Sequence, residues 1–539
     1  MSFGSMYVGA TGVVAHSQSM QVLANNLANV NTIGYRRSEL LFGDLISQQM
    51  GSGGAEYDSG VFRTSQIGKG VGVSTIRPSF NEGSLENTNT VTDLALSGEG
   101  FFGVSDPSMG ATGATHYTRA GAFRFDNEAY LVDAAGFRLQ GYAYDQETGQ
   151  WDTAVSDIRL PYEDVVVDGQ TARVVRSEPV ATNSVEVVAN LDHSSTEVFS
   201  STDNPFFSML EAYNGSQSNA ATPFGDTEPQ YSTAMDVYDG EGNSYEMTVY
   251  YDPVNPDTLS NAVPGYSYWE YVIAMPGDAD GSAAYGASGA GLAGMGVLTF
   301  NSRGALVNQS AFSLDPSASG DPKDLASWVP ATFDEEGLPQ FNFTFGADGQ
   351  STGEVSTIGY DFGVNSQSSS WRSHGTGSAA TLGTDADLLP EMADMGRDAR
   401  VTTSYDQSSF TGFYNQDGYT WGYLNYLSVD EEGILSGHFS NGQTEELYQV
   451  GVYKFNSPWG LSRDGHTNFV STQASGGAIE GVAGDRGRGT INQNSLESSN
   501  VDMADEFSNM IVTQRGYQAN TKVITTADTM LNTLISVKR

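Results

Sequence analysis

Histidines, acidic turns and glycine-rich runs are the parts of this sequence that could carry chemistry, and none of them completes a catalytic motif. The chain has no cysteine, which excludes disulfides, thiolate nucleophiles and cysteine-ligated zinc. No H-E-x-x-H, G-x-S-x-G or phosphate-binding P-loop occurs. The six histidines are scattered along the chain, at His16, His116, His193, His374, His438 and His466. We therefore expect a protein that is not an enzyme and has no catalytic residues.

Two short segments come close to ligand-binding motifs. Residues 289–294 fit G-x-G-x-x-G, but they follow a Gly/Ala/Ser run and lead into a predicted strand, whereas dinucleotide binding needs a strand before and a helix after. Residues 278–281 carry two aspartates without the remaining ligands and closing Glu of a calcium loop. Acidic turns such as those at Asp239 and Asp280 are expected to be solvated. We predict no cofactor and no metal site.

The charge of the chain is large and unevenly spread. It has 24 Lys and Arg against 65 Asp and Glu, a net charge of −41, so nucleic acid is excluded as a partner. Residues 1–50 and 501–539 are each neutral, and the middle 450 residues carry the whole excess. One reading is an ordinary acidic protein with uncharged ends. The other is that the ends pack against many copies of themselves, where net charge would repel, while the middle faces water.

Length and the N-terminal residues bound the class of protein. At roughly 150 residues per domain, 539 residues correspond to three or four domains, and 38% hydrophobic residues are enough for several cores. Residues 1–35 contain no charged side chain, and polar residues interrupt their apolar positions. A secretory signal needs a basic start and an unbroken apolar run, and a membrane helix needs about 18 apolar residues. We expect neither a cleaved signal nor membrane insertion.

Apolar residues at both ends of the chain follow the spacing of helices that pack on other helices. At the N-terminus they alternate steps of three and four, at Met6, Gly9, Val13, His16, Met20, Leu23, Leu27 and Val30, with Gly34 as a candidate C-cap. At the C-terminus the same steps join Val523, Ala527, Met530, Leu534 and Val537, and Ile524, Leu531 and Ile535 widen the stripe.

Each terminal helix needs a partner, because an isolated amphipathic helix is marginally stable. Ser499 or Asn500 is the candidate N-cap of the second helix. Gly516 lies in the middle of that helix, where it costs about 1 kcal/mol relative to Ala, so it favours the close approach of another backbone. Both helices could simply cover a core of their own domain. We prefer pairing with each other and with neighbouring subunits.

Between the ends the apolar period becomes two, and turn residues are frequent. Hairpins are predicted around the turns at 126–127, 239–242, 301–304 and 430–433. Low-complexity runs at 51–54, 281–296 and 366–383 are candidate linkers or loops. The predicted fold class is α+β: terminal helices forming a coiled-coil pair, with all-β middle domains that are mainly antiparallel sandwiches or barrel-like.

Six motifs resemble those of one family, the bacterial flagellar rod and hook proteins. Residues 24–36, ANNLANVNTIGYR, are similar to its N-terminal signature. Three runs are similar to its C-terminal signature: SLESSNVD at 495–502, TQRGYQAN at 513–520 and TADTML at 526–531. DLALSGEGFF at 93–102 and YTRAGAF at 117–123 resemble its inner β segments. The chain has a large middle insertion, which the short rod members of the family lack. Outside it, SNGQ at 440–443 and FNSPWGL at 455–461 resemble the hook members.

The resemblance implies a domain layout. Residues 1–35 with 500–539 would form a terminal helical coiled-coil domain, and residues 36–90 an extended linker and β-hairpin region. Residues 91–180 with 406–499 would form an inner β domain. Residues 181–405, the large insertion, would form one or more outer β domains.

The resemblance also implies a function. The chain would be a structural subunit of the flagellar hook, self-assembling into a flexible tube that transmits motor torque to the filament. It would polymerise with itself, meet the distal rod protein, the hook cap and the hook–filament junction proteins, and be exported without a cleaved signal by the flagellar export apparatus. It would lie outside the cell, in the hook and basal body. The alternatives are the distal rod protein of the same family and, from a different class, a secreted acidic β-rich adhesin or hydrolase.

The residues expected to form the assembly interface lie on the two terminal helices. They are Val13, Met20, Leu23, Asn26, Leu27, Asn29 and Val30 near the N-terminus, and Gln514, Arg515, Gly516, Tyr517, Asn520, Val523, Ala527, Met530, Leu531 and Leu534 near the C-terminus.

Overall fold

The computed structural model describes residues 2–49, 66–109, 115–146, 148–167, 170–216, 223–282, 284, 286–315, 321–347, 350–372 and 377–537. The chain divides into two compact units. Unit 1 combines Met1–Arg176 with Tyr423–Arg539, and unit 2 is Ser177–Gly422. The predicted low-complexity run at 51–54 lies outside the described residues, as do parts of the runs at 281–296 and 366–383.

The first part of the chain contains helix α1 and a series of short strands. Helix α1 is Ser2–Ala28. The strands are β1 (Ser38–Asp44), β2 (Gln48–Gln49), β3 (Gln66–Ile67), β4 (Val71–Pro78), β5 (Leu85–Asn87), β6 (Leu94–Ser97), β7 (Phe101–Ser105), β8 (His116–Thr118), β9 (Arg124–Phe125), β10 (Leu131–Val132), β11 (Arg138–Asp145), β12 (Gln150–Asp157), β13 (Glu163–Val167), β14 (Gln170–Val174) and β15 (Arg176–Ser177).

The middle of the chain, which forms unit 2, consists mostly of longer strands. Its short helix α2 is Ser208–Ala212. Its strands are β16 (Ser184–Asn190), β17 (Tyr231–Tyr238), β18 (Ser244–Val254), β19 (Ser267–Ala274), β20 (Leu292–Phe300), β21 (Leu306–Leu314), β22 (Trp328–Pro330), β23 (Thr332–Phe333), β24 (Pro339–Ala347), β25 (Gln350–Asp361), β26 (Val364–Ser366), β27 (Met395–Arg397) and β28 (Phe410–Gln416).

The chain then returns to unit 1 and ends in a long helix. The strands are β29 (Gly422–Val429), β30 (Ile434–Phe439), β31 (Thr444–Val450), β32 (Val452–Tyr453), β33 (Ser462–Arg463), β34 (Asn468–Val470), β35 (Thr490–Gln493) and β36 (Ser495–Glu497), and helix α3 is Met503–Val537.

The main sheet of unit 1 joins strands from both ends of the chain. It contains the run β29-β30-β31-β11-β7-β8-β34-β33, so β11, β7 and β8, from before the insertion, lie between strands from after it. Two smaller antiparallel ladders also pair a strand from before the insertion with a strand from after it. In these ladders β35 pairs with β6, and β36 pairs with β5. Buried side chains from both chain segments, such as Phe102, Leu139 and Val452, share one core. The body of unit 1 therefore closes only when the two ends of the chain meet.

Unit 2 contains two large sheets. An antiparallel meander has the order β17-β18-β19-β20-β21-β22, and a five-stranded sheet has the order β23-β24-β25-β16-β28. One core cluster takes side chains from both sheets, among them Val187 of β16, Tyr271 of β19 and Phe343 of β24. A second cluster lies on the other face of the meander and includes Val272 of β19. Because both of its faces are buried, β19 shows a nearly continuous apolar run instead of an alternating one.

Much of the secondary structure matches the predictions. The four predicted hairpins are present as β9–β10, β17–β18, β20–β21 and β29–β30. A helix lies at each end and the middle is mostly β-sheet. The glycine-rich run at 289–294 leads into β20, as expected, and no helix follows it.

The predicted caps of the two terminal helices are wrong. Helix α1 ends at Ala28, so Gly34 lies six residues beyond it. Gly34 has a left-handed φ of 66°, and a Cβ there would lie 2.5 Å from the Ala120 nitrogen, so the glycine permits a close approach of two backbone segments. Asp502, rather than Ser499 or Asn500, caps α3, because its Oδ1 accepts from the Ala504 N–H at 2.7 Å and the Asp505 N–H at 3.2 Å.

The two acidic turns predicted to be solvated are in fact buried. The Asp239 carboxylate accepts from the N–H groups of Glu241 and Asn243 at 3.0 and 2.8 Å. Asp280 accepts from the N–H groups of Ser282 and Gly291 at 2.8 and 2.7 Å. Both residues are 3% exposed. They act as internal acceptors that hold turns of unit 2, and their charges are not free in solvent.

Candidate functional site: the terminal helices and their junction

Helices α1 and α3 pack against each other through small and polar residues. A Cβ at Gly9 would lie 3.0 Å from Ile524 Cγ1, and one at Gly12 would lie 2.5 Å from Asn520 Oδ1. Ala15 and Ala527 are also buried. Small residues let the two helices approach closely.

Gly516 makes room for a side chain rather than for a backbone. A Cβ at this position would lie 2.7 Å from Cε1 of the His16 imidazole. The expectation that another backbone approaches Gly516 is therefore wrong, although the position does need a small residue. The Asn520 amide fixes the neighbouring turn by donating to the Gly516 carbonyl at 2.9 Å. The His16 ring also meets Phe42 of β1, with ring centroids 5.6 Å apart.

Asn26 connects the end of α1 to β1 and to α3. Its Nδ2 donates to the Ser38 carbonyl at 2.9 Å and its Oδ1 accepts from the Ser38 N–H at 2.9 Å. The side-chain amide therefore makes the same two hydrogen bonds to Ser38 as the backbone of a neighbouring β-strand would. The same Nδ2 lies 3.3 Å from Glu506 Oε2. Burial raises the pKa of the Glu506 carboxyl, and the Asn26 hydrogen bond opposes that shift. Asn26 is therefore a structural link whose amide is fully used.

A buried ion cluster, which we call the junction cluster, joins the two ends of the chain below the helices. Glu497 of β36 contacts Arg36 Nη2 at 2.7 Å and Arg119 Nη1 at 3.3 Å, and its Oε1 accepts from the Gly83 N–H at 2.8 Å. All three charged side chains are at most 5% exposed. Desolvation lowers the pKa of Arg119 to about 10, against the opposing attraction of Glu497.

Backbone groups complete the junction. Arg119 donates to the carbonyls of Leu96, Gly98 and Gly100. The Gly34 N–H donates to the Glu497 carbonyl at 2.7 Å. Asn500, which does not cap α3, accepts from the Arg37 N–H at 2.7 Å and donates to the Ser79 carbonyl at 3.0 Å. The turn after α1 and the segment before α3 are thereby fixed to the same strands.

The predicted interface residues fall into three groups. Two of them, Asn26 and Ala527, are buried. The partly buried group consists of Val13, Met20, Leu23, Leu27, Asn29, Val30, Gly516, Asn520 and Leu531. Exposed are Gln514, Arg515, Tyr517, Val523, Met530 and Leu534. The contact between α1 and α3 accounts for only part of the set, and whether the exposed members form an assembly interface stays a prediction.

Five of the exposed apolar residues of α3 form a stripe beside the α1 contact. Val512, Val523, Met530, Leu534 and Val537 are separated by 11, 7, 4 and 3 residues, which returns each to the same face of a 3.6-residue helix. Met530, Leu534 and Val537 are 64%, 68% and 82% exposed. We call these five residues the α3 stripe.

Sequence reasoning missed the junction cluster. Arg36, Arg119 and Glu497 occur inside the recognised motifs, yet none was proposed to act as a site. One signal was available: Arg36 is the first charged residue of the chain, next to a 35-residue segment with no charge at all. A charge at the edge of so apolar a segment needs a partner if it becomes buried.

Two further features of the described residues bear on function. No set of three or more His, Asp or Glu side chains is gathered there in a way that would hold a metal ion. Neither of the long helices, over its described length, is apolar enough to span a bilayer.

Four family models match the chain in order. The "Flagella basal body rod protein" model matches residues 6–36, and the "Flagellar hook protein FlgE/F/G D1 domain" model matches 95–175. The "Flagellar basal body protein FlaE D2 domain" model matches 210–419, and the "Flagellar basal body rod FlgEFG protein C-terminal" model matches 492–537. The first and last of these cover the two terminal helices described above.

Curated relatives match along the whole chain. The flagellar hook protein FlgE of Borreliella burgdorferi is 29% identical over 539 residues, which is 99% of each chain. That of Treponema pallidum is 28% identical over 542 residues, again 99% of each chain. A solved structure of Helicobacter pylori flagellar hook protein FlgE2 has a TM-score of 0.42 and 14% identity, covering 77% of this chain and 100% of that one.

The family models at both ends and in the middle place the chain in the flagellar rod and hook family, a family of structural proteins. Within it, the D2 model over the insertion and relatives that match end to end identify a flagellar hook protein. The chain is therefore a structural subunit of the flagellar hook, and a part of the flagellum.

Proposed function

We propose that the chain polymerises through its terminal helices into the tube of the hook. The observation that carries this proposal is the α3 stripe: α1 packs closely on α3 at Gly9 and Gly12, yet five large apolar residues of α3 remain exposed on one face. Burial of such side chains contributes about 25 cal/mol per Å² once a second surface covers them. The helices of neighbouring copies cover the α3 stripe and pair with it as coiled coils.

Head-to-tail contacts between the helices of neighbouring copies need not produce a closed ring. In a head-to-tail arrangement the surface buried on one copy differs from the surface buried on the next, and repetition produces a helical filament. The resemblance to hook proteins implies that this filament is a flexible coupling that transmits torque. Unit 2 has 33 Asp and Glu against 5 Lys and Arg, a net of −28, so its surface is solvated and suits contacts that slide rather than lock.

The domain layout and fold detail belong to the same proposal. We assign residues 1–35 with 500–539 to the helical tube, 36–90 to a linker, 91–180 with 406–499 to an inner β domain, and 181–405 to the outer region. The two large sheets of the middle region share a core, which supports a sandwich-like packing. The partners are further copies of the chain, and at the ends of the hook the distal rod protein, the cap and the junction proteins.

The proposed role is structural, without catalysis and without a cofactor. Export would occur through the flagellar apparatus without a cleaved signal, as the resemblance to hook proteins implies. The mature hook subunit would then lie outside the cell.

The test is a pair of charge substitutions on α3. Leu534→Asp places a carboxylate in the α3 stripe, where burial in an assembly costs several kcal/mol per subunit. Thr525→Asp places the same charge on the opposite face of α3, at an exposed position, and is the matched control. Each variant is expressed in cells that lack the native subunit, and hooks are counted by electron microscopy.

We expect no hooks from Leu534→Asp and normal hooks from Thr525→Asp. The purified Leu534→Asp monomer should keep the near-ultraviolet circular dichroism of the native monomer, because the substituted side chain contacts little within its own chain. Normal hooks from Leu534→Asp would contradict the assignment of the α3 stripe to the assembly.

A further inference from the structure

Two methionines of α3 differ in exposure from the other methionines whose side chains the structure describes. Met503 is 52% exposed and Met530 is 64% exposed. Four others, at positions 6, 20, 395 and 510, are partly buried. Six methionines of unit 2 are at most 5% exposed: Met209, Met235, Met247, Met275, Met295 and Met392. Because a thioether is oxidised only where the oxidant reaches its sulfur, Met503 and Met530 are the first candidates for oxidation in the free chain.

Met503 and Met530 lie on opposite faces of α3. They are 27 residues apart in the sequence, which corresponds to seven and a half turns of a helix with 3.6 residues per turn. Met530 belongs to the α3 stripe, and Met503 does not. A second copy that covers the α3 stripe therefore buries the Met530 sulfur, whereas Met503 faces the other side of the helix.

The helical neighbours of Met530 leave no hydrogen-bond donor for an oxygen on its sulfur. The neighbours at three and four residues along the helix are Thr526, Ala527, Thr533 and Leu534. The hydroxyls of Thr526 and Thr533 each donate to a backbone carbonyl of the preceding turn at 2.8 Å, and a hydroxyl has one proton to donate. The side chains of Ala527 and Leu534 have no polar atoms. Once water is excluded, an oxygen added to Met530 therefore has no partner among these four residues.

We propose that Met530 is an oxidation site that regulates assembly: its sulfoxide blocks the polymerisation of free chains, whereas chains already in the polymer are protected from oxidation there. This inference rests on the proposed function, because it requires that the α3 stripe is buried between copies. The finished polymer then resists an oxidant that stops its growth.

The modification is a two-electron oxidation of the thioether by a peroxide. A lone pair of the sulfur attacks one oxygen of hydrogen peroxide, the S–O bond forms as the O–O bond breaks, and the leaving hydroxide takes the remaining proton to become water. The sulfur is oxidised to a sulfoxide and the peroxide is reduced. Because the sulfoxide is polar, its burial without a donor costs free energy that burial of the thioether does not cost.

The first test measures polymerisation after oxidation. The unpolymerised native chain, Met530→Leu and Met503→Leu are each treated with hydrogen peroxide, and each is compared with its own untreated sample. Mass spectrometry of peptides gives the oxidised fraction of every methionine, and light scattering gives the critical concentration for polymerisation. We expect oxidation to raise the critical concentration of the native chain and of Met503→Leu by about tenfold, and that of Met530→Leu by less than about twofold.

Two controls separate a block of assembly from damage to the fold. Methionine sulfoxide reductase returns the sulfoxide to the thioether, and this treatment should restore polymerisation of the oxidised native chain. The near-ultraviolet circular dichroism of the oxidised chain should remain that of the untreated chain, because the exposed Met530 side chain is not part of a core. A loss of polymerisation that the reductase does not reverse would contradict oxidation of a methionine as its cause.

The second test compares the native chain inside and outside the polymer. Assembled hooks and unpolymerised chains receive the same dose of hydrogen peroxide, and mass spectrometry follows the rate at which Met530 is oxidised in each. We expect this rate to be severalfold lower in hooks, because the helix of a neighbouring copy excludes peroxide from the sulfur.

Equal sensitivity of Met530→Leu and Met503→Leu to peroxide would overturn the proposal, and so would equal rates of Met530 oxidation in hooks and in free chains. These failures are distinguishable from a failure of the proposed function. Normal hooks from Leu534→Asp contradict the proposed function itself. Absence of hooks from Leu534→Asp, together with polymerisation of the native chain that peroxide does not affect, contradicts only the role of Met530.

Discussion

Arg36 and Glu497, which come from opposite ends of the chain, form an ion pair of 2.7 Å in which both side chains are fully buried. Arg119, which directly follows β8, joins the pair, so one carboxylate holds two guanidinium groups. Because β36 and the turn after α1 meet here, the position of each terminal helix depends on the presence of the other end of the chain. A chain with either end missing would lose this anchor as well as one helix.

Replacing Glu497 with Gln should destabilise unit 1 strongly. The substitution leaves two buried cations without a counter-charge, and breaking a buried pair from one side typically costs about 3–5 kcal/mol. Hydrogen exchange of the full-length monomer in urea gives the free energy of opening for unit 1 amides. The control is Glu39→Gln, whose partners Arg37 and Arg77 are partly exposed, and which should change that free energy by at most about 1 kcal/mol. Equal effects of the two substitutions would show that the junction cluster is not an anchor.

Replacing Asp239 with Ala should destabilise unit 2, in contrast to the effect expected of a solvated acidic turn. The substitution leaves the N–H groups of Glu241 and Asn243 without their acceptor in a buried turn, a loss of about 1–3 kcal/mol. Asp203→Ala is the control, because Asp203 is exposed. Urea unfolding followed by tryptophan fluorescence measures both. If the two variants unfold at the same urea concentration, the hydrogen bonds of Asp239 contribute nothing measurable.

The stability of unit 2 should fall as the pH rises from about 4 to 8. Glu270 is buried opposite Asp252 in the β18–β19 ladder, and desolvation raises the pKa of Glu270 to about 8 and that of Asp252 to about 6. The folded state therefore binds protons more tightly than the unfolded state, and its advantage is complete below the unfolded pKa and lost as the pH passes the folded one.

Glu270→Gln isolates this effect. The Gln oxygen can still accept from the Ser208 hydroxyl and the Met209 N–H, as Glu270 does, but it cannot ionise. We expect the decline in unfolding free energy between pH 6 and 8 to be shallower in the variant, measured by urea unfolding at several pH values. A native chain that becomes more stable over this range would contradict the burial of Glu270 as the cause.

The hairpins and the two helices could be predicted because their signals are local. Turn residues such as those at 239–242 decide a hairpin within a few positions, and the apolar period decides a helix within two turns. The predicted helix caps were wrong because tertiary contacts compete for the same side chains. Asn500 is a good capping residue, yet its amide is occupied by Arg37 and Ser79, and Asp502 takes over the cap.

The candidate site was only partly predictable for a related reason. Helical spacing identifies a stripe of apolar residues, but it does not distinguish the side that faces α1 from the side left exposed. Ala527 turns towards α1, whereas Met530 and Leu534 of the same predicted stripe are exposed. Burial of Asp239, Asp280 and Glu497 depends on which distant segments cover them, and this information is spread over the whole chain.

Added salt should promote polymerisation of the native chain. Copies with a net charge of −41 repel each other over distances that shrink from about 30 Å at 0.01 M salt to about 8 Å at 0.15 M. The helical ends are neutral, so screening weakens the repulsion between the acidic middles more than it weakens the apolar contacts. Light scattering of the purified chain at salt concentrations between roughly 10 and 300 mM measures the effect. A flat response would mean that the acidic surfaces stay far apart in the polymer.

Replacing Gly516 with Leu should separate α1 from α3. The new side chain would occupy the space of the His16 imidazole, since even a Cβ would lie 2.7 Å from Cε1. Overpacking costs about 1–3 kcal/mol, which exceeds the gain of about 0.8 kcal/mol from the better helix propensity of Leu. Faster hydrogen exchange of amides in both helices of the monomer would report the separation. Ala519→Leu, at an exposed position of the same helix, should leave exchange unchanged.

Adding His16→Ala to Gly516→Leu should restore much of the protection, because the two changes act on one contact and their effects do not add. If the double variant is no better protected than Gly516→Leu alone, His16 is not the group for which position 516 must stay small.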